Sequence, residues 1–272
     1  MKITAVGVGS AFAGEDKYQT MFLVERNKRK LLVDCGSDAR FALKELGITN
    51  QNVGGQIDGV YVSHLHADHI GGLEWLGFCT YFNPDAVRPK LYMNTDLMTE
   101  AWNQTLRGGM QSVEGKDCNL TDYFDCHRIP DGGKFEWEGI KFQTVQMVHI
   151  VSGFSFRNSY GLLVTDSYKV EPDERGATLR HDVVFLTTDT QFAPNQLNHF
   201  YDRATIIVHD CETLPYRSGV HAHYDELVEL PEKVKKKMWL AHYSTADGRT
   251  PEKDGFKGFL RKGDVIVDRG DS

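Results

Sequence analysis

The sequence predicts an α/β fold, a single domain over residues 1–272 with two mixed β-sheets and helices on their outer faces. Three observations predict it. Short apolar runs recur along the whole chain, helical stretches fall between blocks of them, and no low-complexity linker or fixed short repeat divides the 272 residues.

Ile3 to Val8 is the first strand, running into the turn Gly7-Val8-Gly9-Ser10. Met21 to Val24 and Leu31 to Val33 follow, and the charged run Arg26–Lys30 between them makes a hairpin with a polar turn. Asp34-Cys35-Gly36 breaks the third strand. Phe41 to Leu46 reads as a helix stopped by Gly47. Val60 to Val62 is a short strand running straight into His64. Asp96 to Leu106 fits a helix capped by Thr95 and ended at Gly108-Gly109. Phe135 to Trp137 and Ile140 to Val145 form a second hairpin, turned at Glu138-Gly139. Gly161 to Val164, Val183 to Leu186 and Thr205 to Val208 are further strands, leaving Asp166 to Asp182 as a charged loop. Asp225 to Lys237 is mostly helical, Trp239-Leu240-Ala241 is a last core strand, and Val265 to Val267 is an edge strand.

The composition bounds the function. With 40% hydrophobic and 25% charged residues, the chain has the make-up of a soluble globular protein. No apolar run is long enough to cross a bilayer. The opening MKITAVGVGS lacks the basic, apolar and cleavage segments of an export signal, so a cytoplasmic protein is expected. The five cysteines, Cys35, Cys79, Cys118, Cys126 and Cys211, form no CxxC pair and are expected as reduced, mostly buried thiols. A formal charge of -7 argues against a large nucleic acid as substrate, without excluding one. The basic runs at Arg26–Lys30 and Lys233–Lys237 read as a hairpin tip and a helix end.

The chemistry is carried by His64-Leu65-His66-Ala67-Asp68-His69-Ile70-Gly71-Gly72. Four potential ligands fall in six residues at a strand-to-turn junction, and imidazole nitrogen with carboxylate oxygen suits zinc and its neighbours. His64 and His66 can chelate one ion, while Asp68 and His69 face a second. HxHxDH followed by Gly-Gly resembles the metallo-β-lactamase superfamily, and the resemblance covers nearly the whole chain. It implies the αββα sandwich of that fold. It also implies later ligands, which are filled in order: His149 after the second hairpin, Asp189 in Phe185-Leu186-Thr187-Thr188-Asp189-Thr190, and His242 after the last core strand. By that resemblance His64, His66 and His149 hold one ion, Asp68, His69 and His242 the other, and Asp189 bridges them. Two zinc ions are expected, with manganese or iron as substitutes. Such a pair can share a hydroxide and clamp the oxygens of a displacement.

Within the superfamily, exported β-lactamases lack the bridging aspartate and the redox branch alters the HxHxDH ligands. Glyoxalase-type thioester or lactone hydrolases keep them and remain an alternative. Val208-His209-Asp210-Cys211-Glu212-Thr213, followed by Gly219-Val220-His221-Ala222-His223-Tyr224, is similar to the ribonuclease Z branch. There an acidic residue pairs with a histidine thought to protonate the leaving oxygen. The match selects His221 with Asp210, and leaves His223 and Glu212 as alternates. Asp68 completes the catalytic set. Forty residues separate His149 from Asp189, too few for the exosite arm that grips tRNA. The resemblance therefore points to ribonuclease Z-like phosphodiesterases without the arm, among them the phage anti-Pycsar enzymes acting on cyclic nucleotides. It implies a small cyclic nucleotide as substrate, opened to a nucleoside monophosphate, and a homodimer. RNA 3′-end processing is the first alternative.

Overall fold

A computed structural model describes residues 1–173 and 176–270, with side chains outside 169–179. The chain divides into two compact units, one of Lys2–Asp131 with Arg261–Asp268, the other of Gly132–Leu260 with Met1 and the residues from Arg269.

The first unit holds β1 (Lys2–Gly7), β2 (Met21–Arg26), β3 (Arg29–Val33), β4 (Gly59–Tyr61), β5 (Lys90–Asn94), β6 (Ser112–Val113), β7 (Lys116–Asp117), β8 (Asp125–Ile129) and β16 (Val265–Asp268). Seven of these form one mixed sheet in the order β16-β1-β2-β3-β4-β5-β8. Pairing is antiparallel from β16 to β3 and parallel from β3 to β8. Asn27 and Lys28 both take positive φ, 54° and 64°, the turn that matches the twist of a β2–β3 hairpin. β4 is buried along its length, as expected of a central parallel strand. β5 and β8 lie in the stretch whose prolines obscure its strands in the sequence.

The helices of this unit are α1 (Ala39–Glu45), α2 (Ala67–Ile70), α3 (Leu73–Tyr81), α4 (Thr95–Glu100), α5 (Arg107–Met110) and α6 (Leu120–Tyr123). A π-helical turn, Ala101–Leu106, joins α4 to α5. The expected helix over Asp96–Leu106 is thus corrected at both ends. Asn94 is its cap, accepting from the amides of Asp96 and Leu97 at 3.0 and 3.3 Å. Gly108 and Gly109 sit inside α5 rather than ending it.

The second unit holds β9 (Lys134–Trp137), β10 (Ile140–Ser152), β11 (Ser155–Asp173), β12 (Gly176–Leu186), β13 (Ile206–Asp210), β14 (Met238–Ala241) and β15 (Gly258–Phe259). Its sheet runs β9 to β15 in sequence order, antiparallel as far as β12 and parallel beyond. α7 (Pro194–Arg203), α8 (Tyr224–Leu227) and α9 (Glu232–Lys235) belong to this unit. Leu197 and Tyr201 of α7, Leu227 of α8 and Val234 of α9 join Met147, Phe185, Ile207 and Leu240 of the strands in one buried apolar cluster. The stretch Asp225–Lys237, expected as mostly helical, holds two single turns, because Pro231 caps α9 and cannot continue α8.

The expected loop Asp166–Asp182 is instead the far part of the β11–β12 hairpin, paired from Leu162↔Leu186 to Asp173↔Gly176; its residues 174 and 175 lie outside those described. Charge hid it. Strand alternation is read from apolar residues, and here the buried positions are ionic. Asp166, 1% exposed, faces the Met1 ammonium at 3.3 Å, and Asp182 accepts from Arg269 Nε at 2.6 Å. All five cysteines are free, three of them buried. Among the described residues no helix is long and apolar enough to cross a membrane.

Candidate metal centre

In the first unit β3 and β4 are parallel, so their carboxyl ends lie side by side. β3 delivers Asp34 and β4 delivers Ser63 and His64. Asp34 is buried, with φ of 63°, a left-handed conformation that Asp tolerates better than most residues. Its Oδ1 accepts from the Ser63 amide at 2.8 Å, and its Oδ2 accepts from Ser63 Oγ at 2.9 Å and His69 Nδ1 at 2.8 Å. With its hydroxyl hydrogen given to Asp34, Ser63 Oγ accepts from His64 Nδ1 at 2.9 Å. This network assigns the tautomers: Nδ1 carries the proton in His64 and His69, and Nε2 is the ligand atom.

His64 Nε2 stands 3.0 Å from His66 Nδ1, and Asp68 Oδ2 stands 3.3 Å from His69 Nε2. Gly36 and Gly72 let the backbones meet. A Cβ on Gly36 would lie 2.2 Å from the Asp68 carbonyl oxygen, and one on Gly72 would lie 2.4 Å from that of Gly36.

In the second unit the candidate ligands His149, Asp189 and His242 come from three different strands. His149 sits at a bulge in β10, where the register skips between Val148 and Ile150. Its Nδ1 donates to the Val220 carbonyl at 2.9 Å, which again presents Nε2. Asp189 follows β12 through Thr188, whose φ of 54° is unusual for a β-branched residue. Asp189 Oδ2 lies 3.7 Å from His149 Nε2, and Oδ1 lies 3.4 Å from His242 Nε2. One carboxylate oxygen toward each imidazole is what a bridging ligand requires. His242 follows β14 with φ of 62°.

Asp210, at the end of β13, serves two histidines. His221 Nδ1 donates to its Oδ2 at 2.8 Å, and His242 Nδ1 is 3.3 Å from its Oδ1. Thr190 also donates its amide to Oδ2 at 2.8 Å. Below it, buried His209 accepts from Tyr201 Oη at Nε2 (2.7 Å) and donates from Nδ1 to the Asp210 carbonyl (2.7 Å). Burial drives the Asp210 carboxyl upward, but the His221 and His242 imidazoles outweigh it and leave its pKa below the usual carboxylate value. Burial likewise lowers His221, and Asp210 overcomes that, holding the imidazole above its usual value. His209 is lowered by burial, against the pull of Asp210, and is therefore a neutral support.

The donor set fits a zinc-like cation. Tetrahedral zinc with nitrogens at about 2.0–2.1 Å separates neighbouring ligand atoms by about 3.3 Å. The pairs within each unit span 3.0 to 3.7 Å. Asp189, Asp210, His221 and His242 also form a compact group of ligand atoms in the second unit.

Of the residues singled out from sequence, the structure brings His64, His66, Asp68 and His69 together in the first unit, and His149, Asp189, Asp210, His221 and His242 in the second. The alternates do other work. His223 caps α8, accepting the Asp225 amide at Nδ1 (3.3 Å) and donating to the Leu214 carbonyl (2.9 Å). Glu212 accepts the Ser218 amide at 2.8 Å and shapes the loop before His221. Sequence reasoning missed Asp34, Ser63 and His209. Asp34 carries a signal, since it follows an apolar strand as Asp189 does, but in the sequence it is indistinguishable from a strand breaker.

A family model described as anti-Pycsar protein Apyc1 matches residues 1–266. A protein so named from Paenibacillus xerothermodurans is 32% identical over 266 residues, covering 96% of this chain and 95% of its own. One from Bacillus phage vB_BveM-Goe7 is 30% identical over 275 residues, covering 98% of each. Among solved structures, the metallo-β-lactamase fold protein YhfI from Bacillus subtilis superposes with a TM-score of 0.69 at 16% identity, covering 97% of this chain and 98% of its own. The fold is therefore the metallo-β-lactamase fold, as the HxHxDH segment implied.

Proposed function

The chain belongs to the anti-Pycsar Apyc1 family, and on that footing we propose that it is a dinuclear-metal phosphodiesterase that opens cyclic mononucleotides to nucleoside monophosphates, disarming a signal of antiviral defence. The reading takes the two units as one catalytic domain, cytoplasmic and paired as a homodimer. Its ligands are His64, His66, His149, Asp68, His69 and His242, with Asp189 bridging. One observation carries it: His64, His69, His149 and His242 each turn Nδ1 toward an oxygen, leaving Nε2 for a metal.

Two zinc ions, when bound, supply positive charge for the phosphoryl oxygens and make a water acidic near neutral pH. The chain's own groups handle the protons. Asp68 accepts a proton from the water whose oxygen bonds to phosphorus. The ester P–O bond to the ribose breaks, and the departing oxygen takes a proton from His221 Nε2. Asp210 holds His221 by Nδ1, so that Nε2 is the donor face. Without that proton a ribose oxygen is a poor leaving group.

The test is a panel of cyclic mono- and dinucleotides with purified protein whose metal content is measured by mass spectrometry. Ring opening that depends on two bound metals per chain is expected. Metal-loaded protein that leaves the panel intact and cuts precursor tRNA at a discrete 3′ site would replace this reading with RNA processing.

A further inference from the structure

None of the groups above touches a nucleobase. Among the described residues, the second unit exposes four large hydrophobic side chains: Val151, Phe154, Phe156 and Tyr216, at 49, 105, 64 and 64%. Scattered single hydrophobics are ordinary on a protein surface. These are not scattered. Phe154 lies in the turn joining β10 to β11, Val151 and Phe156 flank it at the end of β10 and the start of β11, shortly after His149, and Tyr216 lies on the loop between β13 and α8 that carries His221. The two segments are tied at their bases, because His149 Nδ1 donates to Val220 of that loop at 2.9 Å, and the His149 and His221 rings are 5.3 Å apart.

Val151 and Phe156 are cross-strand partners and share one face of the hairpin. Val151 is two residues past His149, about 7 Å by strand rise, roughly the span of a sugar. In the first unit Tyr92 is buried and stacked on His127 at 4.9 Å and Phe78 packs edge-on to Tyr123 at 5.5 Å, while Phe12, Phe41 and Phe82 are exposed.

We propose that Phe154, Phe156 and Tyr216 form an aromatic clamp that stacks on the base of a nucleotide whose phosphate lies at His149 and His221. The proposal rests on the nucleotide phosphodiesterase reading. Stacking accepts any planar base, so the clamp fixes a substrate class, nucleotides of broad base range, rather than one base.

The test uses full-length, metal-loaded protein and two substrates, a cyclic mononucleotide and methyl riboside 3′,5′-cyclic phosphate, which keeps the ring and lacks the base. Phe154→Ala/Phe156→Ala and Tyr216→Ala are each expected to raise KM for the nucleotide about tenfold or more. kcat should hold, as should both constants for the base-free compound. Equal losses on both substrates, or none, overturn the clamp. Calorimetric titration with the nucleotide separates the two readings. Weakened binding in the variants, with no turnover even by the parent protein, keeps the clamp and sinks the reaction. Unchanged nucleotide affinity overturns the clamp, and if the variants also lose a dimer, the aromatics belong to an interface between copies.

Discussion

The two sheets follow one plan and supply their candidate ligands in opposite ways. Each has seven strands, antiparallel over one stretch and parallel over the next, with the change at β3/β4 in the first unit and β12/β13 in the second. In both, an aspartate stands just beyond that change, Asp34 after β3 and Asp189 after β12. In the first unit the four candidate ligands come from one turn, His64 to His69, braced by one carboxylate. In the second the candidates come from a bulge within β10 and from the ends of β12 and β14, with Asp210 and His221 beside them. A turn sets its own geometry. Separate strand ends converge only when register and bulge are correct along the whole sheet. The first cluster is therefore robust to distant change, and the second is spread over many contacts.

The comparison breaks most severely at the bridge. Asp189→Ala should cut kcat by more than about 10³-fold, because a metal clamp supplies several kcal/mol and each 1.36 kcal/mol is tenfold. Metal analysis should show bound metal falling in parallel, and retained metal with full activity would refute the bridging role. Next comes His221→Ala, expected to lower kcat by about 10²–10⁴-fold with metal content unchanged. Metal loss in that variant would mean His221 is a ligand instead of a proton donor. Asp34→Ala probes the first unit alone. It should weaken metal affinity by about 10–100-fold through His69 and His64, read by competition with a chelator. An unaltered affinity would show that the HxHxDH turn holds without its brace. His223→Ala should cost about 1 kcal/mol of stability, as loss of a helix cap does, and leave kcat alone. A fall in kcat matching that of His221→Ala would reverse their assignment.

How much could be read in advance follows the same division. The HxHxDH turn is local, so the fold and a cluster of four candidate ligands were legible in six residues. His149, Asp189 and His242 are single polar residues after apolar strands, and only order along a known family picks them out. Asp34 and Ser63 act through hydrogen bonds between neighbouring strands, which no spacing rule records. The β11–β12 hairpin was hidden because its inward positions are Asp166 and Asp182, balanced by Met1 and Arg269. α4 lies nearly in register with the expected helix, but its cap and the π-helical turn after it depend on Asn94 and on packing, not on pattern.

The edge strand β16 carries a consequence for synthesis. It pairs with β1, yet about 260 residues separate them along the chain. A ribosome releases β1 about 260 residues before β16, so the flank of β1 stays bare over that interval. Bare strand flanks recruit other strands. A message cut short before Val265 would leave that flank open for good, and the product would be prone to stick to its own kind, although every candidate metal ligand had been made.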